Sequence, residues 1–150
     1  MLKTVSIAGI AGQGVPFKKE SIDLDEAAKT ISKEGLTWIE CVVDDIVEES
    51  PQILKSLGIT MDPSILLSGY VSSYEDSGDT LGLMLPFIVT SGNRTQTSPL
   101  LIFVKKDLVV TIHDDAGGKI TKLYNYSNTL MRKLPKEPEN WANRQTLLLY

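Results

Sequence analysis

Residues Leu100 to Asp114 read LLIFVKKDLVVTIHD, and they carry the clearest structural signal in the chain. Two apolar runs of strand length, rich in β-branched and aromatic residues, flank the polar break Lys105-Lys106-Asp107. A break of this length fits a tight turn between antiparallel strands, although no glycine defines the turn type. Both runs are too continuously apolar for a sheet with one face in water. The stretch therefore predicts a hairpin in the centre of a sheet that is covered on both faces.

The overall composition is typical of a soluble globular domain. A length of 150 residues is enough for one domain with a sizeable core and short for two. The net charge of −4 argues against nucleic acid as a partner, and no apolar stretch approaches the length of a membrane span. The single cysteine, Cys41, excludes an intramolecular disulfide and is compatible with a reducing compartment. Since it lies in an apolar run, we interpret it as a buried structural thiol.

Strand and helix signals alternate along the rest of the sequence. Strands are predicted over Thr4 to Ile10, Leu36 to Val43 and Thr80 to Val89. Helices are predicted to begin at Asp23, at Asp44-Asp45 and at Asp62-Pro63, because an aspartate there can accept hydrogen bonds from the first free amides. Terminal helices follow the central hairpin. This order predicts an α/β fold, a three-layer α/β/α arrangement with a mixed sheet and helices on both faces.

Several residues predict breaks in these elements. Pro51 lies inside the second helix pattern and predicts two pieces or a kink near Ser50. Pro86 predicts a sheet edge or a strand end. The polar residues 70–79 and the turn-forming residues 91–98 are predicted to be connections between elements.

The C-terminal part predicts helices and a truncation. Apolar spacing predicts a helix from Ile120 to Leu134, and Pro138 and Asn140 are predicted to open a final helix. The chain then ends within the apolar run Leu147 to Tyr150. We therefore expect that residues 1–150 are a single domain cut from a longer protein.

No group of residues predicts an active site. His113, the only histidine, lies at a strand end beside two aspartates, and we interpret it as a surface or hydrogen-bonded structural residue. Gly12-Gln-Gly14 follows the first strand, but neither a dinucleotide fingerprint nor a Walker A motif is complete. No catalytic residue and no cofactor are predicted.

Three acidic residues, Glu75, Asp76 and Asp79, lie between a predicted helix and a predicted strand. Hard cations prefer such oxygen ligands, and an ordinary solvated loop explains the same pattern.

Segments in the same order resemble the cytoplasmic N-terminal domain of CorA-type divalent metal ion transporters. Thr37-Trp38-Ile39 resembles the "TWI" strand of that family, and Leu57-Gly58-Ile59 with Asp62-Pro63 resembles "FGIHP". The stretch YEDSGDTLGLML, residues 74–85, is similar to "YEDYDDYLFLVL". The stretch IFVKKDLVVTIH, residues 102–113, is similar to "IFLGKNFLITVH". The resemblance extends from about Leu36 to Tyr150.

This resemblance implies a non-enzymatic regulatory domain of a CorA-like transporter of Mg²⁺ or another divalent cation, such as Co²⁺, Ni²⁺ or Zn²⁺. Family members are homopentamers, in which this domain packs against the same domain of neighbouring subunits at the cytoplasmic face of the cell (inner) membrane. The fragment would then be truncated before a stalk helix and the transmembrane spans, and would reach the membrane only through the missing C-terminal part. It would couple cytoplasmic conditions to pore gating.

The resemblance also implies a departure from the family at its regulatory metal site. Where relatives carry a Glu-Asp pair, this sequence has Leu67 and Ser68, which supply no carboxylate. Substitute metal ligands would be Asp62, Glu75, Asp76 and Asp79. The alternative interpretation of the whole chain is a stand-alone cytosolic α/β module that binds a nucleotide or a partner protein, with residues 9–14 as its loop.

Overall fold

A computed structural model describes residues 2–10, 15–20, 22–31, 35–69 and 73–114. These residues form one seven-stranded mixed sheet and three helices. The strands, in chain order, are β1 (Leu2–Ile10), β2 (Pro16–Lys19), β3 (Thr37–Val43), β4 (Ser73–Asp76), β5 (Thr80–Ser91), β6 (Arg94–Lys105) and β7 (Leu108–Asp114). The helices are α1 (Leu24–Ile31), α2 (Ile46–Ser56) and α3 (Pro63–Leu67).

The sheet consists of two antiparallel halves, in the strand order β2-β1-β3-β7-β6-β5-β4. One half is β1 with β2 and β3, and the other is the meander from β4 to β7. Among the described strands, only β3 and β7 join the halves, through a parallel pairing of Thr37–Val43 with Leu108–Asp114. We call this pairing the seam.

The predicted central hairpin is confirmed as β6 and β7. Lys105 pairs with Leu108, so the turn consists of Lys106 and Asp107. Asp107 has a φ of 59°, in the left-handed region that aspartate tolerates better than most residues. The backbone carbonyl of Asp107 accepts a hydrogen bond from the amide of Thr37 over 2.9 Å. The turn of the hairpin is therefore also attached to β3.

Aspartates begin all three described helices, as predicted. The side chains of Asp23, Asp45 and Asp62 each accept a hydrogen bond from an amide two or three residues further on, over 2.6 to 3.1 Å. Pro51 does not divide the second helix into two pieces, because α2 is one helix from Ile46 to Ser56, and the alternative of a kink near Ser50 stays a prediction. Buried residues on both sides of Pro51, Ile46 and Leu54, belong to the same core cluster. This shared packing offsets the one backbone hydrogen bond that proline removes.

The prediction of a connection over residues 91–98 is also wrong. Only Gly92 and Asn93 form a turn, since Ser91 pairs with Arg94, and β6 begins there. Gly92, with a φ of 59°, supplies the left-handed conformation that the turn requires. Likewise, residues 70–79 are not all connection, because they contain β4.

The position of Pro86 agrees with the predicted sheet edge. It pairs with Pro99 inside β5 and β6, while the described pairing with β4 stops at Met84. In the described strands, β5 therefore has a free edge on the β4 side at Pro86. The backbone N–H that proline lacks costs little there, because no described strand pairs with that edge.

The three described helices share one core cluster with one face of the sheet, which we call the helix face. Ile39, Cys41 and Val43 of β3 belong to this cluster. The opposite face, which we call the second face, has its own smaller buried cluster around Trp38 and Val109. The α/β class and the mixed sheet are thus confirmed, whereas the helices predicted over residues 120–150 lie outside the described residues.

Candidate functional site

Asp62, one of the four predicted metal ligands, begins α3. Its Oδ1 accepts a hydrogen bond from the amide of Ser64 over 2.9 Å. That bond lowers the pKa of the Asp62 carboxyl below its ordinary value of 3.8, because it stabilises the ionised form. The carboxylate is therefore already used as a helix cap.

The other three predicted ligands lie in the hairpin formed by β4 and β5. Glu75 and Asp76 are consecutive residues of β4, so their side chains point to opposite faces of the sheet. Asp76 Oδ1 accepts a hydrogen bond from the amide of Gly78 over 2.8 Å. Asp79 Oδ1 accepts one from Ser77 Oγ over 3.1 Å. The hydrogen bond from Ser77 and the positive charge of Lys105 lower the pKa of Asp79.

Lys105 connects this hairpin to the end of α2. Its Nζ donates a hydrogen bond to the carbonyl of Gly58 over 3.2 Å and lies 3.8 Å from Asp79 Oδ2. Nearby, an open groove of about 550 Å³ runs between the end of α2 and the start of α3. The residues that line this groove include Pro51, Lys55, Met61 and Asp62.

The predicted acidic residues do not form a metal centre by themselves. In the described part of the chain, no group of three or more histidine, cysteine, aspartate or glutamate side chains could hold a metal ion. Leu67 and Ser68 lie at the end of α3, where Leu67 packs against the core and Ser68 Oγ donates to the carbonyl of Ile65 over 2.8 Å. A regulatory site at Asp62, Glu75, Asp76 or Asp79 stays a prediction.

The glycines proposed as a nucleotide loop are only partly described. Gly9 lies within β1, and a Cβ there would be 2.6 Å from the carbonyl oxygen of Leu36 and 2.8 Å from the ring of Phe17. Close packing of β1 against β2 and against the residue before β3 therefore accounts for this glycine. Gly12 and Gly14 lie outside the described residues.

His113 is a hydrogen-bonded structural residue, as the sequence predicted, and it is buried rather than on the surface. Its Nε2 lies 3.1 Å from Oε1 of Glu40, and its Nδ1 lies 2.7 Å from the carbonyl oxygen of Asp114. Glu40 is not among the functional residues predicted from the sequence. A signal was present, because Glu40 is a charged residue inside the apolar run Thr37 to Val43, and a buried charge requires a partner.

Further polar groups lie close to this pair. On the same face, Trp38 Nε1 donates to Thr111 Oγ1 over 3.1 Å. Ser6 of β1 is paired with Glu40 and is also buried. Cys41, the next residue after Glu40, points to the helix face; burial, with a smaller effect of the Glu40 charge, raises the pKa of its thiol to about 12. The predicted buried structural thiol is thus confirmed.

The described sheet and helices have the fold of the soluble domains of CorA-type proteins. The soluble domain of CorA from Methanocaldococcus jannaschii matches 95% of this chain and 55% of its own, with a TM-score of 0.54 and 21% identity. The ZntB cytoplasmic domain from Vibrio parahaemolyticus RIMD 2210633 matches 96% of this chain and 56% of its own, with a TM-score of 0.59 and 12% identity. Full-length CmaX matches 98% of this chain and 43% of its own, with a TM-score of 0.57 and 14% identity.

These similarities confirm, at the level of the fold, the resemblance that the sequence indicated. The chain spans about half the length of the solved structures that it matches. No protein-family profile matches the sequence, and no curated protein matches it. Among the described helices, none is long and apolar enough to cross a bilayer.

Proposed function

We propose that this chain is the cytoplasmic regulatory domain of a CorA-like transporter of Mg²⁺ or another divalent cation. The observation that carries the proposal is the fold similarity to CorA and ZntB soluble domains over 95 to 96% of the chain. In this proposal the domain is not an enzyme, and it acts by packing against the same domain of neighbouring subunits in a homopentamer. The predicted helices beyond residue 118 would complete the third layer and lead to a stalk and membrane spans.

The positions of the CorA-resembling segments support this proposal. Thr37-Trp38-Ile39 begins β3, and Asp62-Pro63 begins α3. The segment 74–85 covers most of β4 and the first half of β5, and the segment 102–113 covers the hairpin of β6 and β7. Three of the resembling segments therefore lie in strands of one sheet and their turns, and the fourth, Leu57 to Pro63, connects α2 to the start of α3.

An apolar surface on β4 and β5 supports packing between subunits. Tyr74 pairs with Leu83, and Leu85 follows on the same face of β5, the second face. Tyr74 is 72% exposed and Leu85 is 42% exposed. Neighbouring exposed apolar side chains are typical of protein interfaces. Neighbouring subunits of a ring contact each other through two different surfaces, so we infer that a different surface of a neighbouring subunit covers Tyr74 and Leu85 in the assembly.

Coupling to the gate would work through a difference in the free energy of two subunit arrangements. A cation that binds better in one arrangement shifts the population toward it. Because Leu67 and Ser68 replace the carboxylates of relatives, and Asp62 caps α3, we expect the chain alone to bind Mg²⁺ only at millimolar concentrations or more weakly. Isothermal titration calorimetry of the 150-residue chain with MgCl₂ measures this, and a micromolar isotherm would contradict it.

Transport by the complete protein tests the proposal itself. The reading frame beyond Tyr150 is first determined, and the encoded protein is reconstituted in liposomes that contain a Mg²⁺-sensitive dye. We expect Mg²⁺ uptake through the protein, and an altered dependence of that uptake on Mg²⁺ at the cytoplasmic side when residues 1–150 are deleted. A reading frame without membrane spans, or a deletion that leaves this dependence unchanged, would overturn the proposal.

A further inference from the structure

Glu40 and His113 are diagonal neighbours across the seam on the second face, since Glu40 pairs with Thr111 and His113 pairs with Val42. The side chain of Glu40 is 6% exposed and that of His113 is 4% exposed, and His113 Nε2 lies 3.1 Å from Glu40 Oε1. The carbonyl oxygen of Asp114, 2.7 Å from Nδ1, can only accept a hydrogen bond, so Nδ1 must carry a proton. The remaining ring nitrogen, Nε2, is therefore the one that interacts with the carboxyl group of Glu40.

This geometry requires one proton between the two side chains. If His113 is protonated, Nε2 donates to the Glu40 carboxylate; if Glu40 is protonated, it donates to Nε2. In both cases the pair carries no net charge. Without that proton, a carboxylate oxygen and a nitrogen lone pair face each other at 3.1 Å, and one negative charge remains buried.

The surroundings offer the pair few other charges. On the same face, β1 contributes the hydroxyl of Ser6, and β3 contributes the indole of Trp38. On β7 the neighbouring groups are the hydroxyl of Thr111 and, from the opposite face, the carboxylate of the adjacent residue Asp114. On β6 the residue paired with Thr111 is Ile102. Of these described groups only Asp114 is charged, and its charge is negative. No cation among them could replace the lost proton.

We propose that Glu40 and His113 form a proton-dependent link across the seam, and that loss of their proton favours separation of the two halves of the sheet. The seam is the only described strand pairing between the halves, so a buried charge there acts on the connection itself. The neighbouring bond between Trp38 and Thr111 is neutral and does not change in this pH range. The inference concerns this chain alone and is independent of transport.

The direction of the effect follows from the pKa of His113. Burial opposes its protonation, but the hydrogen bonds to Glu40 and to the Asp114 carbonyl, together with the two negative charges, raise the pKa above its ordinary value of 6.5. A raised pKa in the folded state stabilises the fold fully below pH 6.5, and this stabilisation is lost as the pH rises through the folded-state pKa. Between the two values, the unfolding equilibrium constant increases up to tenfold for each pH unit.

The single histidine makes this link directly measurable. In a ¹³C-labelled sample the Cε1–Hε1 signal belongs to His113 alone, so its chemical shift from pH 5 to 10 gives the pKa without any mutation. We expect a value above 6.5. In Glu40→Gln, burial remains while the negative partner is lost, so we expect the value to fall below 6.5. A wild-type value at or below 6.5 would overturn the inference.

The control is Glu48→Gln, the same chemical change at an exposed position of α2. Glu48→Gln should leave the His113 pKa as in the wild type. It should also leave the pH dependence of urea unfolding unchanged, including any part of that dependence that comes from the terminal amine. Glu40→Gln should abolish the fall in stability between pH 6.5 and the folded-state pKa. An equal fall in both variants would show that another group is responsible.

Hydrogen exchange distinguishes a local effect at the seam from general unfolding. Protection factors are compared at pH 6.5 and pH 9, after correction for the intrinsic exchange rate. We expect amides of β3 and β7 that bond across the seam to lose more protection than the amides between β5 and β6. Equal losses in both sets would refute a link that acts at the seam.

Discussion

Gly82 allows α3 to approach the sheet closely, and an alanine at this position tests that approach. A Cβ built on Gly82 would overlap the Sδ of Met61 and would lie 2.9 Å from Cδ1 of Leu66 and 3.3 Å from Cε1 of Phe103. All three neighbours are buried in the cluster of the helix face. Met61 and Leu66 connect α3 to this cluster, so the methyl group of alanine would press directly on that contact.

The expected magnitude combines two opposing effects. Overpacking a core by one carbon costs about 1 to 3 kcal/mol. Replacing a glycine inside a strand by alanine raises the free energy of unfolding by roughly 0.5 to 1 kcal/mol, because alanine loses less backbone entropy on folding. The difference between these ranges is about 0 to 2.5 kcal/mol, and because the new methyl group would crowd three buried side chains we expect Gly82→Ala to destabilise the fold by about 1 to 2 kcal/mol. Met61→Ala alone should cost about 2 to 5 kcal/mol through the cavity that it leaves.

The double variant shows whether Met61 is the residue that is crowded. Removing the Met61 side chain makes room for the new methyl group. The double variant should therefore lose less stability than the sum of the losses in Gly82→Ala and Met61→Ala, by about 1 kcal/mol or more. The control pair is Gly82→Ala with Ile7→Val of β1, four strands and thus roughly 19 Å away. Those two costs should add within about 0.5 kcal/mol. Urea unfolding measures all variants, and additive costs for Gly82 and Met61 would refute the proposed contact.

Two further variants or reagents test single residues. Cys41 is fully buried and its thiol pKa is about 12. A disulfide reagent at pH 8 should therefore modify the native chain only as fast as the chain opens, and modification within the mixing time would contradict the buried position of Cys41. Asp107 has a φ of 59°, in the left-handed region. Asp107→Ala should therefore lower the free energy of unfolding by about 1 kcal/mol, whereas Asp107→Gly should not. Equal urea midpoints for the two variants would argue against the left-handed turn.

The features that could be predicted from the sequence are those that depend on a few adjacent residues. The helix starts at Asp23, Asp45 and Asp62 required only an aspartate before a helical pattern, and each side chain accepts the expected hydrogen bond. The central hairpin required two continuous apolar runs and a short break. In these places local propensity and the final structure agree, so no knowledge of distant residues was needed.

The predictions that are wrong concern residues whose structure depends on partners elsewhere in the chain. Residues 91–98 contain turn formers and few apolar side chains, yet most of them belong to β6 because β5 pairs with them along its whole length. Strand β4, with the residues SYED, has no apolar alternation and is stabilised by pairing with β5. Strand propensity is strongly dependent on such cross-strand neighbours.

The pairing of Glu40 with His113 could not be predicted from the sequence for a related reason. The two residues are 73 positions apart, and their contact depends on the exact register of β3 against β7. A shift of the register by one residue would move every side chain of β7 to the other face, and His113 would then lie among the apolar residues of the helix face. Glu40 would keep its burial and lose its partner. The same pair that makes the seam sensitive to protons therefore also penalises a shift by one residue, because that shift leaves the buried charge of Glu40 without its counterpart.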